Sequence, residues 1–182
     1  MAGQFFPSCK LASWGRVVRA SHLVAKPRFG DELGGLLKGL SAETPGLAIG
    51  LKRSYGDSNL NPDGRIIDMT ALDRVIAFDR ETGVMRAEAG LSLSQALQML
   101  VPAGWFLPTT PGTRFVTLGG AVANDVHGKN HHAAGTFGAS VTRLMLLRTD
   151  GEARELAPGD PRFHATVGGL GLTGVIAWVE FR

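Results

Sequence analysis

At 182 residues and 44% hydrophobic, the chain is long enough for one domain with its own core, and its charge of +3 carries no basic run, which excludes nucleic acid as the expected partner. A single cysteine, Cys9, excludes an internal disulfide framework and fits a reducing compartment. No run of about 18 apolar residues marks a membrane-spanning helix, and Met1 to Lys10 lacks a basic-then-apolar leader pattern, so a soluble, cytoplasmic chain is expected.

In chain order, Phe5 to Arg19 reads as an irregular arm (residues 1–19) with Ser13-Trp14-Gly15-Arg16 as its distinctive patch. Ser21 to Lys26 predicts a short strand, Asp31 an N-cap, and Leu33, Leu36, Leu37 and Leu40 a helix. Leu47 to Gly50 is a second strand, so the opening reads as a parallel strand pair with a helical crossover. The turn that follows, Gly50 to Asp57, mixes glycine, basic and hydroxyl residues. Successive N–H groups in such a turn can fold into a concave nest for phosphate, although glycine turns after strands are common.

From Arg65 to Glu88 the pattern predicts an antiparallel meander of Ile66 to Met69, Val75 to Phe78 and Val84 to Glu88. Ser92 and Gln95 form a capping box, and a helix is expected from Leu93 to Leu100, stopped by Pro102 and Gly104. Val141 to Thr149 reads as a strand, Asp150-Gly151 as a hairpin turn and Glu152 to Leu156 as its return. Asp160 to His164 is a helical turn, and Ala177 to Phe181 the last strand.

The stretch from Pro111 to Gly138 holds six glycines, Lys129 and three of the five histidines. Such a composition suits a loop shaped around a ligand, and Gly119-Gly120 at the start of a short helix are placed to offer N–H groups to an anion. A third glycine cluster, Val167 to Gly174, precedes a strand and no helix, so it does not match the nicotinamide dinucleotide fingerprint. His127, His131 and His132 lack the companions of a zinc site, and no metal is expected.

Three glycine-rich patches separated by strands resemble the FAD-binding domain of the vanillyl-alcohol oxidase and p-cresol methylhydroxylase (PCMH) superfamily, and within it the decaprenylphosphoryl-ribose oxidase branch. The likeness rests on Ser13-Trp14-Gly15-Arg16, Arg53-Ser54-Tyr55-Gly56-Asp57, Ile67-Asp68-Met69-Thr70, Pro111-Gly112-Thr113-Arg114, Val126-His127-Gly128-Lys129-Asn130-His131-His132 and Gly171-Leu172-Thr173-Gly174. The resemblance implies an α+β, two-lobed PCMH-type domain (lobes about 20–70 and 71–182) with FAD between the lobes. It also implies an FAD-dependent oxidoreductase acting on a sugar hydroxyl. Lys52, Arg53, Ser54, Tyr55, Gly56 and Asp57 would hold the pyrophosphate; Gly112, Thr117, Leu118, Gly119 and Gly120 would line the ribityl and isoalloxazine region. Asn124, Asp125, Val126 and His127 would stand behind them, with Ile176 near the adenosine end.

Relatives that attach FAD covalently do so through a histidine where this chain has Arg53, so noncovalent FAD is expected. His127, Lys129 and Tyr55 are the catalytic candidates: a histidine suits general-base work, and a fixed cation would stabilise negative charge on the reduced ring. Family members carry a further, C-terminal substrate domain, and this chain stops at Arg182. The readings left open are a fragment of an oxidase, a subunit paired with a separate substrate domain or reductase, and a noncatalytic FAD-binding subunit. A lipid-linked sugar is the expected substrate, with a peripheral membrane position; an aldonolactone or alditol is the alternative.

Overall fold

Leu33, Leu36 and Leu37 recur at helical spacing and all three are buried in α1, Glu32–Lys38. Each such leucine stabilises the fold by about 1.5–3 kcal/mol relative to exposure. The computed structural model describes residues 4–182. Two sheets organise them. The first runs β1 (Phe6–Ser8), β2 (His22–Ala25), β4 (Arg65–Asp68), β3 (Gly46–Ile49), with β1 antiparallel to β2 and both β2 and β3 parallel to β4.

The second sheet is antiparallel throughout, in the order β5 (Val75–Phe78), β6 (Met85–Glu88), β9 (Val175–Phe181), β7 (Val141–Leu147), β8 (Ala153–Leu156). Its buried positions, among them Met85, Ala87, Leu144 and Val179, belong to one core with α2 (Leu93–Leu100), α3 (Leu118–Ala123) and the leucines of α1. That continuity fixes the two sheets against each other. The other face is polar: Arg86 donates to Glu180 Oε2 through Nε (3.0 Å) and Nη2 (2.7 Å), and its guanidinium lies 4.4 Å from the Trp178 ring centroid.

Local chemistry explains several boundaries. Ser92 caps α2 by accepting from Gln95 N–H while the Gln95 side chain accepts from Ser92 N–H, so the expected capping box is present. Gly104, at φ +83°, closes the turn after it. Gly151, at φ +86°, sits in the turn between β7 and β8.

Four expectations are corrected. β2 and β3 do not pair; β4 lies between them, and Ile66–Ile67 joins this parallel sheet rather than an antiparallel meander with β5 and β6. Burial decides it, since Ile66 and Ile67 are both fully buried, as a strand between two parallel neighbours requires. Asp31 makes no side-chain cap; Glu32 Oε1 instead accepts from the N–H groups of Arg28 and Phe29. The arm contributes a strand, β1.

Candidate functional site

A cleft of about 630 Å³ lies between the two sheets, within the range of small-molecule sites, about 300–1,000 Å³. Its floor is apolar: Leu47, Ala48 and Ile49 of β3, Met69, Val116 and Ile176. Lys52, Arg53 and His127 line it and no carboxylate does among the described residues, so its electrostatic bias favours an anion.

The bend after β3 is the polar wall. Lys52 takes a left-handed φ of +57° and Gly56 one of +69°, while the residues between them do not. Among the described residues, no backbone N–H from Lys52 to Asp57 donates to a protein acceptor. A run of free donors beside a cleft is costly unless water or a ligand accepts from them. Four contacts hold the bend. Ser13 Oγ donates to Asp57 Oδ1 (2.7 Å), the Arg53 guanidinium lies 5.3 Å from the Trp14 ring, Arg53 Nε donates to Phe115 O (3.2 Å), and Ser54 Oγ donates to Asn124 Oδ1 (3.2 Å). Those last two bonds tie the first sheet's loop to the second sheet's elements.

The opposite wall is α3 and its approach. Residues 89–92 and 116–119 run side by side: Leu93 N–H donates to Val116 O, Leu118 N–H to Leu91 O and Gly119 N–H to Ala89 O, at 2.8–2.9 Å. Thr117 caps the helix by accepting from Gly120 N–H (3.1 Å). The N–H groups of Leu118, Gly119 and Gly120 are therefore all engaged, which corrects the expectation that Gly119-Gly120 offer theirs to an anion. Gly119 serves close approach instead, since a Cβ there would stand 3.0 Å from that of Ala89.

The histidine loop is a built structure. Asp125 Oδ1 accepts from Gly138 N–H (2.9 Å), Asn130 Nδ2 donates to Pro108 O (2.9 Å), and His131 Nδ1 lies 3.0 Å from Gly128 O. His131 thus braces the loop, and its ring meets that of His127 edge-on at 5.3 Å. The loop of the third glycine cluster leans on α3, with Gly168 N–H donating to Val122 O and Leu170 N–H to Ala123 O.

Of the candidates, Lys52, Arg53, Ser54, Tyr55, Gly112, Thr117, Gly119, Gly120, Asn124, Val126, His127 and Ile176 all line the cleft. Gly56, Asp57, Leu118, Asp125 and Lys129 do not. Asp57 is turned toward Ser13, Leu118 is fully buried in the core, Asp125 is bonded to Gly138, and Lys129 is exposed. Among the lining residues that the sequence reading did not single out is Asn59, only 8% exposed, whose Oδ1 and Nδ2 bond to nothing among the described residues. In Asp-Ser-Asn-Leu-Asn-Pro an asparagine passes for turn chemistry.

These residues fit a diphosphate flanked by flat apolar groups: free amides and two cations at the bend, aliphatic floor on either side. Comparison with known proteins bears on what that ligand is. A family model described as "FAD binding domain" matches residues 22–157. The decaprenylphosphoryl-beta-D-ribose oxidase of Mycolicibacterium smegmatis is 50% identical over 133 residues, 71% of this chain and 29% of that protein. The L-gulono-1,4-lactone dehydrogenase of Mycobacterium tuberculosis is 31% identical over 74% of this chain and 31% of its own length. The alditol oxidase of a Streptomyces species is 28% identical over 63% and 28%. The chain thus spans about three tenths of the length of these relatives. In structure, an alkyldihydroxyacetonephosphate synthase superposes with a TM-score of 0.79 at 20% identity, covering 92% of this chain and 35% of that one, which speaks for the fold.

Proposed function

We propose a function from one premise: the chain belongs to the FAD binding domain family. FAD is the cofactor, and the reading built on it is a domain of an oxidoreductase that oxidises a sugar hydroxyl, of the decaprenylphosphoryl-ribose oxidase type. The observation that carries it is that, among the described residues, no N–H from Lys52 to Tyr55 is partnered at the wall of a cleft that no carboxylate lines. The likeness at 50% identity supports the substrate class.

In this reading Lys52 to Tyr55 hold the pyrophosphate by backbone donors, with Lys52 and Arg53 adding charge. Gly112, Thr117, Gly119, Gly120 and Asn124 bound the isoalloxazine end. When bound, FAD supplies the hydride acceptor for a carbon that bears a hydroxyl. His127 then takes the hydroxyl proton on a free imidazole nitrogen; among the described residues neither of its nitrogens has a hydrogen-bond partner. Tyr55, 86% exposed on the cleft rim, is placed to cover the substrate side. Lys129, exposed and outside the lining, is assigned no contact with the bound flavin. The attachment is noncovalent: Arg53 cannot form a histidyl bond, and it is engaged with Trp14 and Phe115.

The test is substrate-dependent bleaching of flavin absorbance in the FAD-loaded chain, alone and mixed with candidate substrate domains. Reduction by a prenyl-phosphate ribose and not by aldonolactones or alditols is expected. Reduction by the latter alone would transfer the domain to the class of the 31% and 28% identical relatives.

A further inference from the structure

From the geometry around Asn59 we infer that its carboxamide recognises the adenine base of the bound dinucleotide, an inference that rests on the FAD reading above. Asn59 lines the cleft, is 92% removed from solvent by its 8% exposure, and has both polar atoms unpartnered among the described residues. A buried carboxamide left so is destabilising, so its partner arrives with the ligand.

The chemistry of the carboxamide narrows that partner. Nδ2 donates and Oδ1 accepts, side by side, so the complement must present an acceptor next to a donor. A diphosphate offers acceptors alone and would set its charge against Oδ1. The adenine edge, an amino group beside a ring nitrogen, matches both atoms, as in the bidentate asparagine–adenine pairing of DNA readers.

Position separates adenine from the isoalloxazine edge, which also carries both functions. Gly50, just past β3, abuts Thr117, the cap of α3. Two residues beyond Asn59, Asn61 donates from Nδ2 to Pro45 O, just before β3, and from N–H to His22 Nε2, at the start of β2. The chain therefore runs back along β3 after the bend, and Asn59 lies on the side of Lys52 to Asp57 away from Thr117. A Cβ on Gly171 would stand 3.8 Å from Ala48 O, so the third glycine loop closes over β3 as well. With the pyrophosphate at the bend and the isoalloxazine at α3, the base falls beside Asn59.

The experiment titrates the chain and its Asn59→Leu and Asn59→Asp variants with FAD, and displaces bound FAD with ADP and with FMN, reading flavin fluorescence. Thermal unfolding without ligand reports folding, and the aspartate variant, the closer isostere, stands in if the leucine variant does not fold. At least a tenfold loss toward FAD and ADP, with FMN affinity unchanged, is expected. Unchanged affinity for FAD and ADP, as for a site that holds only water, or an equal loss toward all three ligands, overturns the assignment. Failure of the unsubstituted chain to bind FAD would instead overturn the reading beneath it.

Discussion

Gly50 and Thr117 meet where the two sheets come together: a Cβ built on Gly50 would stand 2.2 Å from Thr117 Oγ1, the atom that caps α3 by accepting from Gly120 N–H. The contact joins the end of β3 to the start of α3, and thus the two walls of the cleft. No side chain fits there without displacing the cap.

Gly50→Ala is accordingly expected to lower stability by about 1–3 kcal/mol, the range of an overpacked contact, and to weaken FAD binding as well. Chemical denaturation and FAD titration of the same variant check both. A variant as stable as the parent would show that the walls move apart freely.

Arg53→Ala removes the stacking on Trp14 and the bond to Phe115 O while leaving the backbone donors of the bend. An exposed cation–π contact contributes about 0.5–1 kcal/mol, so unfolding should change little. FAD affinity should fall several-fold, because the bend is no longer braced, and Trp14 fluorescence should shift. Unchanged affinity would mean that Ser13–Asp57 and Ser54–Asn124 suffice to hold it.

Glu180 links folding to pH. Burial alone would raise its carboxyl, but hydrogen bonds from Thr142 and Arg86, with the charges of Arg86 and Arg143, outweigh that and hold it below the ordinary glutamate value. Its contribution is therefore present above the unfolded value, about 4.3, and is lost as pH falls through the lower folded one. Glu180→Gln should be less stable than the parent at pH 7 by about 1–3 kcal/mol, the range for a hydrogen bond to a charged group, and the gap should close toward pH 3. Denaturation curves at the two pH values decide it.

How much of this was legible in the sequence follows from where each signal resides. Ser92 and Gln95 announce α2, and Asp150-Gly151 announces the β7–β8 hairpin, because caps and tight turns are written within four residues. The sheet that takes Ile66–Ile67 was not legible. Its partners, β2 and β3, lie about 20 to 40 residues upstream, and a short apolar run does not encode them. The bend from Lys52 to Asp57 was legible as a candidate nest from its composition, whereas the engaged donors of Gly119 and Gly120 depend on Ala89 and Thr117 lying beside them. Asn59 stayed hidden because burial, not residue type, sets it apart.

His127→Ala, assayed alone and with candidate substrate domains, should retain FAD within about twofold and slow flavin reduction by about 10²–10⁴-fold, the usual worth of a positioned general base. Stopped-flow reduction separates this from a structural effect, since raising the pH should partly restore the rate by ionising the substrate hydroxyl. Loss of FAD without a separate kinetic effect would remove His127 from the proton transfer.

The amide-rich bend and α3 together bind FAD without a covalent bond, and the visible spectrum of the purified chain after incubation with excess FAD and gel filtration is the decisive measurement. The protein should be yellow, and its flavin should pass entirely into the supernatant on acid precipitation. A folded protein, judged by circular dichroism, that stays colourless would contradict it, and flavin retained in the acid precipitate would contradict the noncovalent attachment.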